Sequence, residues 1–102
     1  VTFKNFANPL INNEQACDET REIAKNIFGE ENIITNFHKR LGADDFADFL
    51  QETIGCYAFI GTKNKNKKNS DVAHHNGLFD LDEEALLGSC NLYVDYALSV
   101  LS

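Results

Sequence analysis

His74 and His75 stand side by side at the head of the run His74-His75-Asn76-Gly77-Leu78-Phe79-Asp80-Leu81-Asp82-Glu83-Glu84-Ala85-Leu86. Imidazole is the commonest protein ligand for transition metals, and a neighbouring carboxylate can hold the ring by accepting a hydrogen bond from its other nitrogen. The chemistry this turn offers is therefore metal ligation. A zinc site takes three or four protein ligands, so one histidine does not complete one. Without a full spacing pattern, adjacent histidines in a polar turn are more often solvated surface residues than ligands. The acids have a structural explanation of their own: Asp82 can cap a helix whose first turn carries Glu83 and Glu84 at the positive end of its dipole. Asp80, Asp82 and Glu83 are accordingly read as helix-start and ring-orienting groups rather than ligands, and Asp44 and Asp45, ahead of Phe46, as an ordinary N-cap.

The histidine turn is the third of four motifs in a fixed order. Leu41-Gly42-Ala43-Asp44-Asp45-Phe46 opens a helix, and Gly55-Cys56-Tyr57-Ala58-Phe59-Ile60-Gly61 is an apolar run between glycines. The turn from His75 to Asp80 follows a basic loop, and Asp82 to Gly88 opens the last helix. This block resembles the C-terminal end of the catalytic domain of dinuclear metallo-amidohydrolases of the aminoacylase, hippurate hydrolase and indole-acetyl-amino-acid hydrolase type. That family runs Gly-Ser/Ala-Glu-Asp-Phe, then Pro-Gly and an apolar strand ending in Gly, then His-x-Pro-x-Phe/Tyr-Asp, then a helix opening Asp-Glu-x-x-Leu. A weaker likeness continues upstream through Asn8-Pro9-Leu10-Ile11-Asn12-Asn13 and the helix ending Phe28-Gly29-Glu30-Glu31-Asn32. Asp44 stands where the family usually has Glu, Ile54 where it has Pro, and Gly77 where it has the Pro after the ligand histidine. Counting back from Phe79, His75 matches the family's metal ligand; one extra residue in the turn would shift the assignment to His74.

The resemblance implies that residues 1–8 are the last strand leaving a missing lid domain and residues 9–102 the C-terminal part of a catalytic domain. It implies two divalent metal ions, zinc or manganese, in the full-length protein, with His75 as the metal-binding residue supplied here. The implied reaction is hydrolysis of the amide bond of an N-acyl amino acid or small peptide, through a metal-bound water and an upstream glutamate base. The family's Cys-Gly-His-Asp segment, its paired glutamates and a further histidine lie upstream of the matched region, so the segment alone is expected to be inactive and to contribute no catalytic residue. The missing N-terminal part of the same protein is the expected partner, with a homodimer as a further assembly. The alternative is a stand-alone binding or regulatory module that retains a catalytic-domain remnant, with exposed apolar surface for docking. A stand-alone metal carrier using His74, His75 and the adjacent acids is a third reading.

The elements that must position these residues are legible from periodicity. Cys17, Ile23, Ala24, Ile27 and Phe28 mark one face of a helix from Glu14 to Phe28, with Asn13 as N-cap and Gly29 just beyond its end. Ile33-Ile34-Thr35 is a short β-branched run, and Asp44 to Gln51 sets Phe46, Phe49 and Leu50 on one helical face. Cys56 to Ile60 reads as a central strand buried on both faces, delivering the basic loop and the histidine turn beyond its carboxyl end. Val1 to Phe6 reads as a strand cut from a preceding sheet. From about Glu83 to Leu101, Leu86, Leu87, Cys90, Tyr93, Val94, Ala97, Leu98 and Leu101 recur at helical spacing. The expected fold class is α/β: a partial layer in the order strand-helix-strand-helix-strand-helix, taken from a larger metallopeptidase-like domain.

Composition narrows the remaining classes. A 102-residue chain with 43% hydrophobic residues can fold as one small unit, burying about 60 to 65% of its unfolded surface. The net charge of −7 argues against nucleic-acid binding, which relies on Lys and Arg to neutralise phosphates. Lys63, Lys65, Lys67 and Lys68 alternate with Asn and lack interleaved aromatics, so they are read as an exposed loop tip. Cys17, Cys56 and Cys90 show no CxxC spacing and are expected to be small buried hydrophobes in a reducing compartment. No basic-then-apolar leader or membrane-length apolar run is visible, and the expected location is cytoplasmic.

Overall fold

The computed structural model describes residues 1–102, and its regular elements are all helical: α1 (Glu14–Phe28), α2 (Phe46–Glu52) and α3 (Glu84–Leu101), with a short 3-10 turn at Glu30–Asn32. No residue lies in a β-strand, so the expected α/β layer is corrected to a helical architecture. The residues divide into two compact units, Val1–Tyr57 and Ala58–Ser102.

In the first unit, α1 begins where Asn13 adopts extended geometry (φ −75°, ψ 133°) and its side-chain oxygen accepts a hydrogen bond from the Ala16 N–H at 3.0 Å. That bond satisfies one of the donors a helix start leaves open. The helix ends at Gly29, whose φ of 85° a side chain rarely adopts and whose N–H returns to the Lys25 carbonyl at 2.9 Å. Ala16 and Ala24 are buried on its inner side, while Cys17, Ile23, Ile27 and Phe28 are half-buried. Arg21 pairs with Asp18 and Lys25 with Glu22, both at 2.7 Å along the outer side. The Glu22 hydrogen bond holds the Lys25 ammonium above its ordinary value.

α2 is entered through Asp44, whose carboxylate accepts from the Phe46 N–H at 2.8 Å and from the Tyr57 hydroxyl at 3.2 Å. Ala47 is buried, and the Phe46 ring sits 5.6 Å from Tyr57 and 6.1 Å from Phe49. Gly55 fits closely beneath Leu50: a Cβ there would lie 2.9 Å from the Leu50 side chain.

The expected strands fail for an identifiable reason. A strand needs a neighbouring backbone to receive its N–H and C=O groups. At the Cys56–Ile60 run that role falls to a side chain: the Asn12 amide accepts from Tyr57 N–H at 2.7 Å and donates to Tyr57 C=O at 3.0 Å. One backbone bond, Asn13 N–H to Gly55 C=O at 3.1 Å, lies beside it. Three hydrogen bonds centred on two residues clamp the segment without propagating a ladder. The double-sided burial expected there is also corrected, since Cys56, Tyr57 and Ile60 are half-buried and Ala58 and Phe59 exposed. Val1 to Phe6 is fully exposed and unladdered, so it is no strand.

In the second unit, residues 62–83 form consecutive turns leading into α3. Asp82 N–H bonds the Thr62 carbonyl at 3.0 Å, and buried Ser70 exchanges hydrogen bonds with the Asn64 backbone at 2.9 and 2.8 Å. α3 carries the apolar residues that recur at helical spacing, and most of them are exposed. Its sheltered stripe is Ala85, Gly88, Ser89, Leu92 and Tyr96, whereas Leu86, Leu87, Cys90, Tyr93, Val94, Ala97, Leu98 and Leu101 are exposed. The helix thus has apolar residues on more than one side, and periodicity alone does not decide which side is covered. The chain as a whole leaves 8790 Å² accessible, so it buries roughly 47% of the ~16,500 Å² of an unfolded chain of this mass, well short of the expected 60 to 65%.

Candidate functional site

The histidine turn is built by Asn76, whose side-chain oxygen accepts from Leu78 N–H at 2.9 Å and whose carbonyl accepts from Phe79 N–H at 2.9 Å. An Asn side chain that bonds the backbone two residues on closes a tight turn locally. His75 precedes it with φ 63°, in the left-handed region that a side chain occupies at some cost, and its side chain is exposed. His74 is turned to the Phe79 ring instead, edge to face at 4.7 Å between centroids. Both histidines are exposed, and they differ in contact and backbone: His74 lies against the Phe79 ring, and His75 holds a left-handed backbone.

The acids near the turn serve the chain's own framework. Asp82 accepts from the N–H of Glu84, the first residue of α3, at 3.2 Å, and from the Asn64 amide at 2.9 Å, while the N-cap position itself falls to Glu83. Asp80 accepts from Leu81 N–H at 2.8 Å and pairs with Lys67 at 3.6 Å. Lys67 also binds Glu83 at 2.7 Å, and that hydrogen bond is the main reason its ammonium is held above its ordinary value. Lys67 is thus tied to the helix entrance rather than lying on a free loop tip. No carboxylate accepts from either histidine ring, so the ring-orienting role expected of Asp80, Asp82 and Glu83 has no contact behind it. Asp44 and Asp45 lie in the first unit, where Asp44 serves the entrance of α2.

Sequence spacing gave no sign of two features in the first unit. Asn12 is the clamp on Tyr57, and Cys17 and Cys56 meet with their sulfurs 3.3 Å apart. The pair is half-buried and Cys90 exposed, which corrects the expectation of three buried cysteines. Burial is the main force pushing the Cys56 thiol up to about 11, with the hydrogen bond to Cys17 next. A shallow cleft between residues 11–13 and 50–54 has Glu52 as its sole titratable side chain and offers no acid–base pair.

No group of three His, Cys, Asp or Glu side chains converges anywhere in the chain. The residues present therefore do not form a metal centre by themselves.

The chain is similar to proteins named as a hippurate hydrolase, as carboxypeptidases and as an amidohydrolase. Hippurate hydrolase from Campylobacter jejuni is 30% identical over 99 residues, covering 96% of this chain and 24% of that protein. Thermostable carboxypeptidase 2 from Saccharolobus solfataricus is 36% identical over 87 residues, covering 84% of this chain and 21% of that protein. A Bacillus subtilis protein named as an amidohydrolase, YhaA, is 24% identical over 98 residues. The chain is a segment of an amidohydrolase-family protein, as its ordered motifs indicate, and it spans about a quarter of the length of the curated relatives it matches. No family model matches the chain, and no solved structure does. No helix is long and apolar enough to cross a membrane.

Proposed function

We propose that this chain is the C-terminal segment of a metal-dependent amidohydrolase that cleaves the amide bond of an N-acyl amino acid or small peptide, and that the segment is inactive by itself. The observation that carries this reading is similarity to a hydrolase along 96% of the chain. In the complete protein, His75 supplies one ligand to a site of two divalent ions, zinc or manganese, whose other ligands lie on the remainder. The exposed, left-handed His75 suits that role better than His74, whose ring is engaged with Phe79.

The test compares release of the free amino acid from N-acylated substrates by the complete protein, by its His75→Ala and His74→Ala variants, and by the 102-residue chain. The complete protein is expected to turn over and the short chain to show none. His75→Ala is expected to lose more than the roughly 10- to 100-fold typical of a group that only orients a ligand, and His74→Ala much less. Turnover by the purified short chain, or an equal loss in the two variants, would contradict the assignment.

A second reading, a stand-alone docking module, draws on the exposed apolar residues of α3. The mass of the native protein in its source cells separates the two: near 11.4 kDa favours the module, several times that the hydrolase.

A further inference from the structure

The start of α1 and the segment 55–57 are held together by three hydrogen bonds: Asn13 N–H to Gly55 C=O at 3.1 Å, and the two between the Asn12 amide and the Tyr57 backbone at 2.7 and 3.0 Å. One turn into α1, Cys17 projects to the same place as Cys56, and their sulfurs stand 3.3 Å apart although 39 residues separate them in sequence. A disulfide bond is about 2.0 Å long, so the sulfurs must close a gap of about 1.3 Å, within reach of small side-chain rotations. Neither thiol is sealed off, since both residues are half-buried. A small oxidant can reach the pair.

We propose that Cys17 and Cys56 are a reversible redox site, forming an intrachain disulfide with a low-molecular-weight disulfide such as glutathione disulfide and reopened by excess thiol. One protein thiol, deprotonated, attacks a sulfur of the oxidant, giving a mixed disulfide and expelling one glutathione thiolate. The second, deprotonated in turn, attacks the protein sulfur of that mixed disulfide and expels the other glutathione. Two protein thiols give up two electrons and two protons, and the oxidant leaves as two thiols. The product bridges α1 to the 55–57 segment and encloses α2 in a covalent loop, reinforcing the connection that the Asn12 and Asn13 bonds already make and restricting the unfolded chain. Burial keeps the Cys56 thiol protonated near neutrality, so exchange speeds up as pH rises.

The experiment exposes the native chain to glutathione disulfide at mildly alkaline pH, caps remaining thiols with N-ethylmaleimide, and maps the peptides without reduction. The three free cysteines are expected to fall to one, with Cys90 alkylated and Cys17 linked to Cys56. The link persists in Cys90→Ser and disappears in Cys17→Ser and Cys56→Ser. In concentrated urea the preference is lost, and all three pairings appear in comparable amounts. The linked form unfolds at a higher temperature than the reduced form, and dithiothreitol removes the difference. Three thiols left free in the native chain, links to Cys90 as abundant as Cys17–Cys56, or arrest at stable glutathione adducts would each overturn the proposal.

Discussion

Asn12 performs with one side chain what a neighbouring strand performs with its backbone. Its amide accepts from the Tyr57 N–H and donates to the Tyr57 carbonyl, both in half-buried surroundings. Asn12→Leu removes both partners and leaves two backbone groups unsatisfied, at an expected cost of about 1 to 3 kcal/mol by urea unfolding. Asn12→Asp keeps the acceptor but sets a carboxylate oxygen against a carbonyl oxygen. It is expected to be nearly as damaging at neutral pH and to recover as the carboxyl protonates, at roughly pH 4 and below. No recovery on acidification would mean that the donor half of the clamp contributes little. Cys56 gives a second prediction. Its thiol is raised from 9.0 to about 11 in the folded chain, so the folded state prefers the protonated form. Stability from this preference is fully present below pH about 9 and is lost as pH rises to about 11. Urea midpoints measured across that window should fall in the native chain and flatten in Cys56→Ser; a parallel fall in the variant would assign the effect to other groups.

Among the elements, α1 was the most legible, because its signals are local. Asn13 caps it, Gly29 ends it, and both belong to a helix end whatever packs against it. Asn13→Ala is expected to cost about 1 kcal/mol, through the Ala16 N–H it leaves open. Asn13→Asp should retain most of the stability, which thermal or urea unfolding would show; equal losses in the two variants would deny the cap its role. The place of Asp82 at the entrance of α3 is legible for the same reason, with its carboxylate accepting from the Glu84 N–H. The strands were not. Cys56 to Ile60 has a strand's composition, but a strand exists only by pairing, and what lies beside Tyr57 is the amide of a residue 45 positions away. The candidate site divides along the same line. The Asn76 turn and the helix-start acids were readable from neighbouring residues. That Asp80 and Glu83 spend their charge on Lys67, and leave the histidines alone, depends on how the 62–83 turns fold back.

At the scale of the molecule, the decisive quantity is surface. The chain exposes 8790 Å² at 11.4 kDa, where a compact monomer of that mass exposes roughly 5800 Å². Its fully sheltered apolar residues are three alanines, and no large side chain is completely buried. Apolar side chains left in water at this scale are what a segment that packs against a larger body would show. On the proposed reading that body is the remaining three quarters of the protein, and α3 offers it Leu87 and Leu98, 68% and 62% exposed. Leu87→Glu and Leu98→Glu are therefore expected to change the urea stability of the 102-residue chain by no more than about 0.5 kcal/mol, as substitutions on open surface do. In the complete protein each places a charge where apolar contact is required, an uncompensated burial that costs several-fold more. The double variant should then lose most soluble, active protein and gain deuterium exchange along α3. If it left the complete protein untouched, this face of α3 would be ordinary open surface, and the covering body would have to be sought on the exposed residues Val1, Phe3 and Phe6 instead.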